Sequence, residues 1–349
     1  MAADMPDRLT WITHPAHELA SNAKLREDWN QLNASTTRQV FMDAEAISCA
    51  IKHFGTGQER LFVGTAQGQI VCMAVLSRID ALRWSTFQPS QIPLGAFLIA
   101  PHAGLDTASA ALLRALPATT LVLSITQLDP LYVPRPADTA TLRLDDYIET
   151  GWIELTGTFE EYWAARGKNL RQNMRKQLNK LAAEGTVVEF RTISEASDMA
   201  AAVARYGEVE SAGWKAESGT AIHPDNEQGR FYTELLTTEA AHGRALVHEY
   251  WLDGGLAASN LCLVHDKTLV VLKTTYDEKY TQLSPAFLLR LAQTQSAYET
   301  GEVDRIEFYG RKRDWHTRWT EKFRTLYHAT AYRQGWIRRL SEPRRDANP

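Results

Sequence analysis

Three apolar, strand-length segments joined end to end by short turns constrain this chain more than any other feature. Residues 245–252 (ALVHEYWL) run into Asp253–Gly254–Gly255, residues 256–264 follow, and His265–Asp266–Lys267 lead into 268–275 (TLVVLKTT). Turns this short and this rich in Gly and Asp reverse the chain between neighbouring strands. The three segments therefore read as an antiparallel meander.

Around that meander the hydrophobic period alternates between 2 and 3.6. A strand at 186–191 leads to helices at 195–213 and 226–242, the second stopped by Gly243. After the meander a polar loop, 276–284, precedes a helix at 285–300 with Pro285 in its first position, where proline is favoured. A strand at 305–308, a short helix around 315–322 and a strand at 325–332 complete the order β-α-α-β-β-β-α-β-α-β. Helices at 159–165 and 169–184 come before it, the latter ending at Gly185.

The first half shows helices at 17–32 and 43–54, then segments 60–66 and 70–79 around Gln67–Gly68, the mark of a hairpin. A helix at 107–116 and a strand at 120–126 end at LDPLYVPRPADTA (128–140), whose three prolines read as a linker. Each half places two helices ahead of a hairpin, so the halves read as a duplication of one unit. A length of 349 residues suits two domains, expected at 1–145 and 146–349.

Composition excludes several classes. Hydrophobic residues at 44% and charged residues at 23% are those of a globular chain, not a disordered or fibrous one. No run approaches the ~20 apolar residues of a membrane span, and the opening MAADMPDRLTW is not a secretory signal. A cytoplasmic protein is expected, with peripheral membrane contact left open. Cys49, Cys72 and Cys262 have neither zinc nor disulfide spacing and read as buried thiols, and no metal is expected. Cys262 as an acyl-accepting nucleophile would need a partner that its sequence neighbours do not supply.

The charge is uneven. From Gly151 onward 27 Lys/Arg face 27 Asp/Glu, so the 11 against 15 in the first 150 residues carry the whole net charge of −4. Basic residues of the second half cluster at Arg166, Lys168, Arg171, Arg175, Lys176 and Lys180, and again at Arg311, Lys312, Arg313, Arg318, Lys322 and Arg324. Such runs are solvated helix faces or the seat of an anionic ligand.

The element order resembles the GNAT acyltransferase fold. Within it, five stretches resemble the CelD-like acetyltransferases, relatives of the FemAB peptidyltransferases with their two tandem GNAT units. These stretches are NLRQNMRKQLNKLAAEG (169–185), EVESAGWK (208–215), LDGGLAAS, LKTTYDEKYTQLSPAFLL (272–289) and EFYGRKRDWHTRW (307–319). The resemblance implies an α/β (α+β) fold of two tandem GNAT-like units. Each would be a mixed, mostly antiparallel sheet flanked by helices, degenerate in the first unit and catalytic in the second. Two departures stand out. Pro285–Ala286 replaces the usual Pro-Gly, leaving phosphate oxygens less room, and Trp315–His316 stands where the family tends to show Tyr-Lys.

The candidate site follows from residues and resemblance together. Backbone N–H groups at the start of the helix at 285 favour an anion, while Ser284 could simply cap that helix. The resemblance places the CoA pyrophosphate there, so Leu283, Ser284, Pro285 and Ala286, with Thr274, are the donor-binding candidates. Lys273 could stabilise an oxyanion or bind a donor phosphate. Asp277 could orient or deprotonate the amine, and Tyr276 could protonate the departing thiolate. His316 is the histidine most suited to a general base. Trp214, Lys215, Tyr309 and Trp319 are the acceptor-pocket candidates. Each has an ordinary structural reading beside the chemical one.

The expected activity is direct transfer of an acyl group from acyl-CoA, acetyl-CoA or an acyl-carrier protein to an amine on a small or lipid-like acceptor. Two alternatives stay open. One is aminoacyl transfer from aminoacyl-tRNA, with the basic helix at 169–180 tracking phosphates. The other is an inactive GNAT-fold binding protein in an envelope or polysaccharide pathway, for which Ala286 and Trp315–His316 would be signs of decay.

Overall fold

A computed structural model describes residues 9–211 and 222–341. The chain forms two compact units. Residues up to Ile148 and those from Thr325 onward make the first, and Glu149–Arg324 make the second.

Unit 1 contains β1 (Thr10–Pro15), α1 (Glu18–Ser21), α2 (Ala23–Ser35), α3 (Ala44–Phe54), β2 (Arg60–Ala66), β3 (Gln69–Arg78), β4 (Arg83–Thr86), β5 (Phe97–Ile99), α4 (Leu105–Ala115) and β6 (Val122–Leu128). Late in the chain come β13 (Lys322–Tyr332) and α11 (Gly335–Ser341). Its sheet runs β1-β2-β3-β4-β6-β13, with β5 beside β3, and only β4–β6 is parallel. The hairpin between β2 and β3 turns on Gln67 and Gly68, both at positive φ (52° and 76°), the backbone that a two-residue hairpin loop demands. Asn22 Oδ1 caps α2 by accepting the N–H groups of Lys24 and Leu25. Leu25, Trp29 and Leu32 are buried along its inner face, as their spacing implies.

Unit 2 takes the second part of β7 (Leu142–Glu154), then α5 (Phe159–Ala164), α6 (Lys168–Ala183), β8 (Val188–Ile193), α7 (Ala196–Ser211), α8 (Glu227–Ala240), β9 (Ala245–Leu252), β10 (Gly255–His265), β11 (Thr268–Tyr276), α9 (Pro285–Thr300), β12 (Arg305–Glu307) and α10 (Asp314–Thr317). Its sheet runs β7-β12-β11-β10-β9-β8, with only β11–β12 parallel. The meander is present, and its turns are tighter than the sequence suggested. Asp253–Gly254 and Asp266–Lys267 each turn in two residues at positive φ, and Gly255 and His265 join the strands. One core holds Tyr250, Leu252, Cys262, Leu269 and Val271 of the sheet against Leu170, Met174, Leu288, Leu289 and Trp319.

Each unit is thus a mixed sheet flanked by helices, as expected of the fold. From β1 in unit 1 and from β8 in unit 2, the pairing runs antiparallel three times, parallel once, then antiparallel. In both, a helix joins the two parallel strands. The last strand of the chain was expected to complete the second half. Instead β13 pairs with β6, from Tyr327↔Leu128 to Tyr332↔Val122, and β7 closes unit 2 by pairing with β12. The sequence reading placed no strand at 141–158, because Asp145, Asp146, Glu149 and Gly151 break the apolar pattern of β7.

Candidate active site

The parallel pair in unit 2 parts early. Thr268↔Arg305, Leu269↔Ile306 and Val270↔Glu307 are its only paired positions, yet β11 continues to Tyr276 along β10. A bulge marks the parting. Leu261 opposes Lys273 and Cys262 opposes Val271, so Leu272 is the extra residue and the strand bends there. Beyond Val270 no strand among the described residues pairs with the outer edge of β11.

At that end of β11 the chain makes a 3-10 turn over Glu278–Leu283 and enters α9. Ser284 holds the junction in the left-handed region, φ 56° and ψ 56°, an uncommon backbone for a residue with a side chain. Its carbonyl accepts the N–H groups of Phe287 and Leu288. Its hydroxyl makes no capping bond, so the capping role considered for Ser284 falls to backbone alone. Pro285 occupies the first turn and has no N–H to give, which makes Ala286 the first amide at this helix start.

The structure divides the candidates. Thr274 lies on the α9 side of the sheet, whereas Lys273 faces α8, its Nζ 5.9 Å from the Tyr232 ring. Neighbours along a strand point to opposite faces. Asp277 Oδ1 accepts the Lys279 N–H and its other oxygen pairs with Lys279 Nζ at 3.0 Å, so it caps the 3-10 turn. Tyr276 is exposed. Tyr309 is buried at φ 47° with the Arg324 guanidinium 5.2 Å from its ring. Trp319 is wholly buried between Trp163 and Phe287, and its carbonyl accepts from Tyr162 and Arg166. Trp214 and Lys215 lie outside the described residues.

His316 is buried in α10, its ring edge-on to Phe308 at 5.3 Å. Its Nδ1 accepts the Arg313 N–H at 2.9 Å, which puts the ring proton on Nε2. Burial, and then the Arg290 charge, push its pKa down to about 4. As placed, the ring offers a hydrogen-bond donor at Nε2 rather than the free lone pair a general base needs.

Beneath α9 runs a buried polar row that sequence reading missed. His248, Asn260 and Thr274 stand opposite one another on β9, β10 and β11. The Thr274 hydroxyl donates to Asn260 Oδ1 at 2.7 Å, and Asn260 Nδ2 reaches Gln293 Oε1 at 3.3 Å. Gln293 Nε2, which can only donate, meets His248 Nδ1 at 2.7 Å. Arg290, one turn earlier on α9, donates to Gln293 Oε1. Its guanidinium sits 4.6 Å from the Phe308 ring, just past the end of β12. The row therefore ends, through Thr274, at the open edge of β11.

Burial sets the protonation there. It holds His248 neutral, with the pKa down to about 3, and lifts the Cys262 thiol to about 12. A fully protonated, buried thiol is no acyl-accepting nucleophile. The one available signal for this row was a set of polar residues inside apolar runs, Asn260 in β10 and Arg290 and Gln293 in α9. Periodicity could not say that they meet.

A mixed sheet flanked by helices, with a parallel pair beside a helix start, accords with the GNAT-like fold that the sequence resemblance implies. Residues 168–319, from α6 to α10, match the acetyltransferase (GNAT) domain family. Among solved structures, the C-terminal domain (DUF2156) of a candidate lysylphosphatidylglycerol synthetase from Agrobacterium fabrum is similar at TM-score 0.56 and 15% identity, over 90% of this chain and 94% of that one. L-PGS from Bacillus licheniformis is similar at TM-score 0.51 and 13% identity (88% and 91%). FemX is similar at TM-score 0.56 and 9% identity (91% and 98%). At such identities the likeness is one of fold. No curated protein sequence matches the chain. No helix among the described residues is long and apolar enough to cross a membrane.

Proposed function

We propose that unit 2 is an N-acyltransferase that moves an acyl group from a thioester, acyl-CoA or an acylated carrier protein, directly onto a neutral amine. The observation that carries this is the parting of β11 from β12 with the start of α9 at its open end. The donor's pyrophosphate sits at Ser284–Ala286, where a free amide and the helix dipole favour an anion. The pantetheine arm lies along the unpaired edge of β11 as a substitute strand. Its thioester carbonyl then faces N–H groups of that edge, which stabilise the tetrahedral oxyanion. The amine attacks the carbonyl carbon, the C–S bond breaks, and the proton shed by the nitrogen passes to the departing thiolate. The N–H at His316 Nε2 is a further donor near the parted strands.

Thermal unfolding with acetyl-, octanoyl- and palmitoyl-CoA, and with CoA alone, tests the reading. A ligand that binds only the folded chain raises the midpoint by mass action, by ~2.7 kcal/mol of stability at a hundred times its Kd. A rise graded with acyl length is expected; no rise with any of them sinks the proposal for CoA donors.

A second reading rests on α6. Lys168, Arg171, Arg175 and Lys176 have no carboxylate partner among the described residues, and a groove of about 580 Å³ beside them is lined by Trp163, Leu178 and Leu291. Cations beside a half-buried aromatic wall suit a nucleic-acid backbone, which supports an aminoacyl-tRNA donor. FemX and the synthetase domains share the fold. Steeply salt-dependent tRNA binding would favour this alternative, and absence of binding at low salt would remove it.

A further inference from the structure

Arg290 is out of place by every ordinary rule for a buried arginine. It is 3% exposed, and among the described residues no carboxylate pairs with it. Among the described residues its guanidinium makes one hydrogen bond, from Nη1 to the neutral Gln293 Oε1, and its enclosed Nε has no hydrogen-bond partner. Other arginines of unit 2 in buried surroundings behave differently. Arg324 meets the buried Glu307 at 3.0 Å, Arg205 meets Glu249 at 2.9 Å and Arg244 meets Glu239 at 2.7 Å. An uncompensated buried cation costs several kcal/mol, and a fold retains one at a functional site when a ligand supplies the missing charge.

The surroundings are built to be neutral. His248 and Cys262 touch Gln293 uncharged, and the Phe308 and Trp315 rings lie 4.6 and 5.9 Å from the guanidinium carbon. Gln293 ties Arg290 to Asn260 and so to Thr274 on the open edge of β11. Phe308, on the other side, continues from β12. The guanidinium therefore lies beside Phe308 and is linked to Thr274 through Gln293 and Asn260. One buried positive charge calls for one negative charge. A carboxylate balances it and can accept from the guanidinium N–H groups that Gln293 leaves over, whereas a phosphate dianion would leave charge unmatched in a dry site.

We infer that Arg290 is the receptor for a carboxylate borne by a substrate, either at the far end of the acyl group or on the amine acceptor. The inference rests on the transfer reading for where the substrates lie, and its test separates the two. Binding would be measured for two matched pairs, succinyl-CoA against butyryl-CoA and β-alanine against propylamine, with the wild-type chain and Arg290→Met. The wild type is expected to bind the carboxylated member of one pair at least about tenfold more tightly, and the pair that discriminates names the source. Arg290→Met erases the preference and, by removing an unpaired buried charge, melts about 2–4 °C higher without ligand.

Equal binding within both pairs, a preference that survives in Arg290→Met, or a lower melting point of the ligand-free variant would each overturn the inference. If neither CoA ester binds, the transfer reading fails for CoA donors, and the β-alanine pair still decides whether Arg290 receives a carboxylate. Should Arg290→Met not fold, Arg290→Lys keeps the charge without the planar fork and is expected to lose most of the preference.

Discussion

The Oγ1 atoms of Thr86 and Thr126 lie 2.7 Å apart, joining β4 to β6 just past their last paired residues. The Thr126 N–H also donates to Thr86 Oγ1 at 3.0 Å, and Gly95 is pressed against the Thr126 carbonyl. In unit 1, then, the place where the parallel strands would part is bridged by hydroxyls and filled by its own chain. In unit 2 no such bridge joins the matching strands among the described residues, and the Arg290 guanidinium lies 4.6 Å from the Phe308 ring just past β12. The same pairing order thus yields one closed unit and one open one.

Gly95→Ala tests how tightly unit 1 is closed. An added Cβ would come within 2.4 Å of the Thr126 carbonyl oxygen, so backbone has to move. A loss of about 1–3 kcal/mol is expected, read as a lower thermal midpoint with thioester binding unchanged. An unaltered midpoint would show that the segment yields.

Ala286→Glu separates helix stability from donor binding. A carboxylate in the first turn of α9 favours the helix dipole by ~0.3–1 kcal/mol, but it repels a pyrophosphate. The melting point should hold or rise while the Kd for any CoA thioester rises at least about tenfold. Unchanged thioester affinity would remove the phosphate from this junction.

Thr274→Val keeps the shape of the side chain and removes its hydroxyl. Asn260 Oδ1, which accepts that hydroxyl at 2.7 Å, is then left buried without it, at a cost of about 1–3 kcal/mol. The expected outcome is a lower thermal midpoint, with a larger fall in kcat than in the stability-corrected donor affinity. An unshifted midpoint would mean that the polar row is not tightly held.

The buried histidines set a pH dependence. Folding lowers His248 from 6.5 to about 3 and His316 from 6.5 to about 4, so the unfolded chain takes up protons first as pH falls. Their contribution is fully present above pH ~6.5 and is lost progressively toward pH 4 and below, at up to ~1.4 kcal/mol per unit for each histidine. The thermal midpoint is expected to drop between pH 7 and pH 5, and His248→Gln should flatten that slope. A slope untouched by the substitution would assign the effect to other groups.

The meander, the start of α9 at Pro285 and both hairpins were legible in the sequence, because turn chemistry and the hydrophobic period act over a few residues. Tyr276 and Asp277 were legible as polar residues after a strand, yet the sequence could not tell that one is exposed and the other occupied in a turn. Ser284 was readable as a cap, while its left-handed backbone was not.

What the sequence by itself determined is the order of elements and the faces they bury, since each follows from local spacing. Tertiary structure alone decided that β13 joins β6 and β7 joins β12, because strands far apart in sequence select partners by the edges left open to them. It also decided the site. His248, Asn260, Thr274, Gln293 and Arg290 come from three strands and one helix, and in sequence they are merely polar residues in apolar surroundings. Only packing brings them into one row, where desolvation keeps His248 neutral and Arg290 meets no carboxylate among the described residues.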